Sequence, residues 1–275
     1  MLINSIVWDP SKGIDLGFFM IRYYSMMYLI AFILGWYIMK RFYKRDGIDE
    51  EKVDSIFIYA VLGTLIGARL GHVLFYQTEL IWQDPLSVIL PFQFVPEFAF
   101  TGFQGLASHG AAIGIVVAMF LYSRNKIDKS VLWVLDRVVI PTSSGAVFIR
   151  FGNFLNSEIV GKPTNSDYGV VFKQLGENFP RHPAQLYEAA SYLVIFIILW
   201  ILYWKTEMRY KTGRIFGLFM IMLWTVRFFI EFIKKAQVGD RADWILNTGQ
   251  WLSIPGIIIG FYFLFRTVKS QKSKA

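Results

Sequence analysis

The chain has 275 residues, of which 55% are hydrophobic, 18% aromatic and 17% charged, whereas an ordinary soluble domain carries about 25% charged residues. It contains no cysteine, which excludes disulfides, a thiolate nucleophile from the protein and cysteine-ligated metals, so any thiol in its chemistry belongs to a substrate. The formal charge of +8 is read as cytoplasmic Lys and Arg facing anionic lipid headgroups, not as a nucleic-acid surface.

The apolar residues come in blocks about 20 long, the length that crosses a hydrocarbon core about 30 Å thick. Asp9, Lys12 and Asp15 precede the first block, which is long enough to span, so no cleavable leader is expected. Seven candidate spans lie near 17–39, 55–77, 106–123, 131–149, 186–204, 215–233 and 250–267. Polar residues interrupt the third and fourth. Residues 86–104 are also apolar, but Pro91, Pro96 and Glu97, behind Asp84 and Pro85, predict an interfacial or re-entrant segment rather than a span. The longest loop, 151–185, is rich in Gly and Pro. Loops beyond about 12–15 residues are mostly functional or disordered, and Val170, Val171, Phe172 and Phe179 argue against disorder. The expectation is an all-α polytopic membrane protein with about seven transmembrane helices. It forms a single integral membrane domain over 1–275 that includes the external loop region 151–185.

Loop charge gives an orientation. Lys40, Arg41, Lys44, Arg45 and Lys52 follow the first span, Arg124, Lys126 and Lys129 the third, and Lys205, Arg209, Lys211 and Arg214 the fifth. The tail adds Arg266, Lys269, Lys272 and Lys274. The opposite loops hold fewer cations, among them Lys12, Lys162, Lys173 and Arg181. Cytoplasmic loops carry the excess of Lys and Arg, so the N-terminus is expected outside and the C-terminus in the cytoplasm.

Charges inside apolar blocks are expensive, about 2.5–3.5 kcal/mol each on insertion scales, and mark function by default. Arg22, Arg69, Asp136, Arg137, Arg150, Arg227 and Glu231 lie in or at the edges of such blocks. Arg22 and Arg137 fit snorkelling or structural pairing. Arg69, flanked by Gly67 and Gly71, fits pairing at a close helix contact. Arg227 and Glu231 are four apart and can pair on one helix face. Arg150 and Asn153 share a face if their helix continues that far.

The densest polar cluster is Arg150-Phe-Gly-Asn-Phe-Leu-Asn-Ser-Glu158, followed by Gly161. Arg150 can hold a phosphate by two parallel hydrogen bonds. Asn153 and Asn156 can orient ester or phosphate oxygens, and Glu158 can pair with Arg150 or take a proton. Gly152 and Gly161 permit close backbone approach. The three dispersed histidines lack metal-ligand spacing, so no metal and no cofactor is expected.

These residues resemble the prolipoprotein diacylglyceryl transferase family, whose signature is Gly-Arg-x-Gly-Asn-Phe-x-Asn-x-Glu followed by Gly. The match runs from Arg150 through Glu158 and includes Gly161, with Ile149 in place of the first glycine. The similarity extends to Tyr23-Tyr24-Ser-Met-Met-Tyr28, Gly67-Ala-Arg69 with Phe75-Tyr76, and Ser108-His109-Gly110, where Ala111 replaces a glycine. It also covers Asp136, Arg181-His-Pro-Ala-Gln-Leu-Tyr-Glu188, Arg227-Phe-Phe-Ile-Glu231, and Gly249-Gln250 with Ser253 and Pro255. Lys234 stands where the family usually has Arg.

The resemblance implies an enzyme of the bacterial cytoplasmic (inner) membrane, multi-pass and monomeric. Its implied partners are phosphatidylglycerol, a prolipoprotein signal peptide with its lipobox Cys, and membrane lipids. It implies transfer of a diacylglyceryl group to that thiol. Arg150 and Arg227 would clamp the phosphate, Tyr24 and Asn153 orient the headgroup, and His109 act as base. Asn156 joins the substrate contacts, Asp136 and Glu231 would orient Arg or His partners, and Glu158 and Gly161 would shape the mouth of the site. The rival reading is a transporter or channel with a buried polar or anion path.

Overall fold

The computed structural model describes residues 5–17, 20–100, 105, 107–164, 168–235 and 246–266. Short strands come first: β1 (Ile6–Trp8), β2 (Gly13–Asp15) and β3 (Met20–Arg22). The helices α1 (Tyr23–Asp46), α2 (Glu51–Tyr76) and the four-residue α3 (Leu80–Gln83) follow, then β4 (Phe92–Gln93) and β5 (Ala99–Phe100). The rest is α4 (Ser108–Asn125), α5 (Val131–Leu155), β6 (Val170–Phe172), α6 (Ala184–Lys205), α7 (Arg214–Ile230) and α8 (Thr248–Phe265). Each expected span corresponds to a long helix. Among the described residues, four helices, α2, α5, α6 and α8, are long and apolar enough to cross a membrane. α7 has 17 residues, about 26 Å at 1.5 Å per residue, just short of the hydrocarbon core.

The first span starts later than its apolar run predicts. Met20–Arg22 pairs antiparallel with Gly13–Asp15, and the helix begins only at Tyr23. Arg22 is therefore an exposed strand residue, not a charge within a helical span.

The chain divides into two compact units, residues 40–135 and residues 1–39 with 136–275. In the first of these, α2 packs on α4 through glycine. A Cβ on Gly67 would lie 2.4 Å from the Gly110 carbonyl oxygen and 2.7 Å from Gly114 Cα. Lipid tails are as apolar as Leu, so helices in a bilayer adhere by close contact rather than by apolar burial, and small residues permit it. Arg69 is buried and donates from Nη2 to Ser87 O at 2.8 Å and from Nε to Val88 O at 3.2 Å, holding the 84–89 segment against α2. Asp84 Oδ2 accepts Phe94 N at 2.8 Å. Within the expected re-entrant stretch, the described residues form a 3₁₀ turn at Pro85–Val88 and the β4–β5 ribbon; 101–104 lie outside the described residues.

In the other unit, α7 and α8 meet the same way: a Cβ on Gly260 would lie 2.8 Å from the Gly217 carbonyl oxygen. Asp136, fully buried on α5, accepts Gly213 N at 2.6 Å and Phe216 N at 2.8 Å. A carboxylate at a helix N-terminus satisfies orphan N–H groups and complements the helix dipole, so Asp136 fixes where α7 starts. The segment after α5 is tied from several directions. β1 pairs in parallel with β6, and Trp8 Nε1 donates to Phe154 O at 3.0 Å. Phe154, Val160, Val170 and Phe172 form a small buried cluster against Trp8 and Leu186.

Gly67→Val is expected to destabilise the α2–α4 pair by about 1–3 kcal/mol, the usual cost of overpacking. Thermal unfolding in detergent measures it, and an unchanged midpoint would remove the close-packing account.

Candidate functional site

The helix α5 runs on to Leu155, so Arg150 and Asn153 do share a face, and Arg150 Nη1 donates to Asn153 Oδ1 at 3.1 Å. Gly152 leaves room for α1: a Cβ there would lie 2.9 Å from Tyr24 Cδ2. The Tyr24 ring thus rests on α5, its hydroxyl 3.5 Å from Asn153 Nδ2 and 3.1 Å from the Tyr28 hydroxyl.

Beyond Leu155 the chain turns sharply. Ser157 and Ile159 have φ of 53° and 58°, a region that costs a non-glycine residue on the order of 1–3 kcal/mol. Two backbone ties hold the turn: Glu158 N donates to Asn153 O at 3.0 Å, and the fully buried Gln185 donates from Nε2 to Glu158 O at 2.7 Å. Glu158 Oε1 accepts Asn153 Nδ2 at 3.0 Å and Asn156 Nδ2 at 3.4 Å. Its expected pairing with Arg150 gives way to these amides, because a buried carboxylate reaches the arginine first.

That carboxylate is Glu188 on α6, 1% exposed, with Oε2 2.8 Å from Arg150 Nε. Its Oε1 lies 3.9 Å from Lys234 Nζ. The same ammonium lies 3.5 Å from Glu231 Oε1. Glu231 is therefore given to Lys234, and Asn247 Nδ2 donates to its Oε2 at 3.4 Å. The expected Arg227–Glu231 pair is not formed among the described residues. Arg227 Nε is instead a buried donor without a hydrogen-bond partner among them. Arg227 and Arg150 both lie within electrostatic range of Lys234.

Two expected site residues make backbone contacts. Asp136 lies fourteen residues before Arg150 on one helix, about 21 Å along the axis, and its oxygens accept from Gly213 N and Phe216 N at the start of α7. Gly161 marks a backbone crossing. Its N–H donates to His182 O at 3.0 Å, and a Cβ there would lie 2.4 Å from that oxygen and 3.0 Å from Ile233 O. His109, at the start of α4, is exposed and belongs to the unit of residues 40–135. Tyr24, Arg150, Asn153, Asn156, Glu158, Arg227 and Glu231 belong to the unit that holds 136–275.

Sequence reasoning did not single out Tyr192, buried one turn after Glu188 on α6 and in contact with Arg150 through its hydroxyl. The i,i+4 spacing of Glu188 and Tyr192 was the available signal. Lys234 was visible only as a departure from Arg. Burial pulls its ammonium below the ordinary lysine value, against the opposing pull of Glu188 and Glu231.

The family pattern described as prolipoprotein diacylglyceryl transferase matches residues 12–266. The chain belongs to that family. It is 40% identical over 276 residues to a Bacteroides fragilis protein named phosphatidylglycerol–prolipoprotein diacylglyceryl transferase, covering 99% of each chain. Proteins of the same name from Tolumonas auensis and Chloroherpeton thalassium are each 38% identical, with 94% and 97% of this chain and 95% and 96% of theirs covered.

Beside the site, Arg181 donates from Nη2 to Glu177 Oε1 at 2.6 Å and from Nη1 to Gly161 O at 3.1 Å. The guanidinium holds the Glu177 carboxyl below its ordinary value of 4.5. A lowered carboxyl contributes stability above its unfolded pKa and loses it as pH falls through the folded one. The 168–182 segment is thus expected to lose protease protection as pH drops below about 4.5, and Glu177→Gln to show that loss already at neutral pH. Equal protection of both proteins at every pH would discount the lock.

Proposed function

We propose that this chain moves the diacylglyceryl group of phosphatidylglycerol to the lipobox cysteine thiol of prolipoproteins, forming a thioether and releasing glycerol phosphate. The observation that carries this reading is the arginine pair. Arg150 is anchored by Glu188 and Asn153, while the buried Nε of Arg227 lacks a partner among the described residues. A buried cationic donor left open suits an anionic ligand, because an unsatisfied buried group costs about 1–3 kcal/mol, more when charged. The relatives carry transferase names, which favours transfer over the transporter or channel reading.

The reaction asks for three events. The thiol loses its proton, its sulfur attacks the glyceryl carbon that bears the phosphate, and the C–O electron pair leaves with the phosphate oxygen. One negative charge on the diester becomes a more highly charged monoester. Preorganised cations that meet the developing charge lower the barrier, and removing one such donor typically costs about 10²–10³ in turnover. Arg150 and Arg227 take that role. Tyr24, Asn153 and Asn156 orient the headgroup, Glu158 stands at the mouth, and Glu231 positions its cationic neighbour. His109 is assigned as base on the family resemblance. Asp136 and Gly161 support the scaffold. The enzyme acts as a monomeric, single transferase domain of the bacterial inner membrane. It crosses seven times, with the N-terminus outside, the C-terminus in the cytoplasm and 86–104 at the interface.

Purified protein, phosphatidylglycerol and a lipobox peptide should give a diacylglyceryl adduct on cysteine by mass spectrometry, and a Cys→Ser peptide should not. Absence of the adduct with the cysteine peptide would overturn the function. Arg150→Ala and Arg227→Ala are each expected to cut turnover by about 10²-fold or more. His109→Gln should reduce turnover by about 10²-fold or more, the usual contribution of a general base; a rate equal to wild type would remove His109 as base.

A further inference from the structure

We propose that Lys234 is a third cation of the anion site, joined to Arg150 through the Glu188 carboxylate, and that its charge sets the alkaline limit of turnover. The proposal rests on the transferase reading above. Its geometric basis is a chain of contacts: Arg150 Nε to Glu188 Oε2 at 2.8 Å, Glu188 Oε1 to Lys234 Nζ at 3.9 Å, and Lys234 Nζ to Glu231 Oε1 at 3.5 Å. The Lys234 and Glu188 side chains are 3% and 1% exposed. The backbone holds the lysine in place, since Lys234 bridges Gly161, Lys162 N donates to Ile233 O at 2.7 Å and Lys235 N donates to Val160 O at 3.0 Å.

Charge counting gives the lysine a purpose. Arg150, Arg227 and Lys234 are set against Glu188 and Glu231, which leaves one positive charge over. Glu158 is exposed and held by two asparagine amides, so it stands outside this balance. One surplus positive charge matches one phosphodiester. Both contacts of the ammonium are longer than the roughly 2.7–2.9 Å of a close charge-assisted hydrogen bond, so its three donors are not exhausted.

The charged and titratable groups around Lys234 come from three helices and their ends: Arg150 on α5, Glu188 on α6, Arg227 on α7 and Glu231 just after it. Tyr192 faces Glu188 and both arginines. Burial and the two arginines disfavour the ammonium, and the two carboxylates favour it. The balance lies below ordinary lysine, so the charge is lost earlier on the alkaline side than for a solvated lysine. A phosphate in the site would favour the ammonium, and binding is therefore weakened when the proton is gone. Arginine at this position would not titrate in the same range.

The test is the pH profile of kcat/KM for phosphatidylglycerol, with wild type, Lys234→Arg and Lys234→Gln assayed on one lipobox peptide. The peptide thiol titrates identically for all three, so ratios isolate the enzyme. The ratio of Lys234→Arg to wild type should climb with alkalinity, approaching tenfold per pH unit beyond the lysine's own titration. Lys234→Gln should raise KM for the lipid at neutral pH and show no alkaline fall relative to Lys234→Arg. Glu188→Gln should lower kcat/KM while the protein stays folded by thermal unfolding. A constant Lys234→Arg to wild-type ratio overturns the proposal, as does an unaltered Glu188→Gln. If Lys234→Gln does not accumulate, the arginine profile alone decides. A wild type that makes no adduct marks failure of the transferase reading, whereas an active wild type with a flat ratio marks failure of this one.

Discussion

A carboxylate with almost no exposure cannot stand alone in an apolar setting, and Glu188 is held there by Arg150 on one side and Lys234 on the other. Removing one partner of a buried pair typically costs 3–5 kcal/mol, because the other charge is left uncompensated. The positions of α5, α6 and the segment after α7 are thereby coupled through a single side chain. Arg150 points where Glu188 and Asn153 direct it. The strained turn at Ser157 and Ile159 closes beside it, fastened by Gln185, which precedes Glu188 by less than one turn of α6. The candidate site and the integrity of the fold draw on the same charges.

Around this charged centre the helices are joined by contact and capping. Backbones approach at Gly67, Gly110 and Gly114 in one unit and at Gly217 and Gly260 in the other. Asp136 begins α7 from within α5. Asn247 and Gln250 cap α8 reciprocally. That same Asn247 reaches Glu231, and Gly249 lies flush against it, since a Cβ there would be 2.5 Å from the Glu231 carboxyl carbon. The last helix therefore starts at the site's own carboxylate.

Much of this was legible in the sequence, because apolar length and breaker residues speak directly to helices in a membrane. Most helices lie within four residues of their expected bounds, whereas α1 is shifted to Tyr23–Asp46 and α5 continues to Leu155, so the polar run from Arg150 to Glu158 straddles the end of α5. The first span was read too early because hydropathy does not separate a strand from a helix, and Met20–Arg22 is apolar enough for either. The Arg227–Glu231 pairing obeys a local rule that a distant backbone crossing overrules, bringing Lys234 to Glu231 instead. Asp136 serves N–H groups at the start of α7, a use that a charge within an apolar block does not reveal. Glu188 ends the motif that begins at Arg181, without its partners being named there, and Tyr192 belongs to no motif. Their importance comes from what stands opposite, which a single sequence does not encode locally.

The hydrogen bonds that define the site are far apart along the chain: Trp8 to Phe154 spans 146 residues, and Asn153 to Tyr24 spans 129. Glu231 then waits for Asn247 to complete its surroundings. A chain ending before α8 would keep the charged contacts of Arg150, Glu188, Lys234 and Glu231, and would lose only the Asn247 amide that completes the surroundings of Glu231.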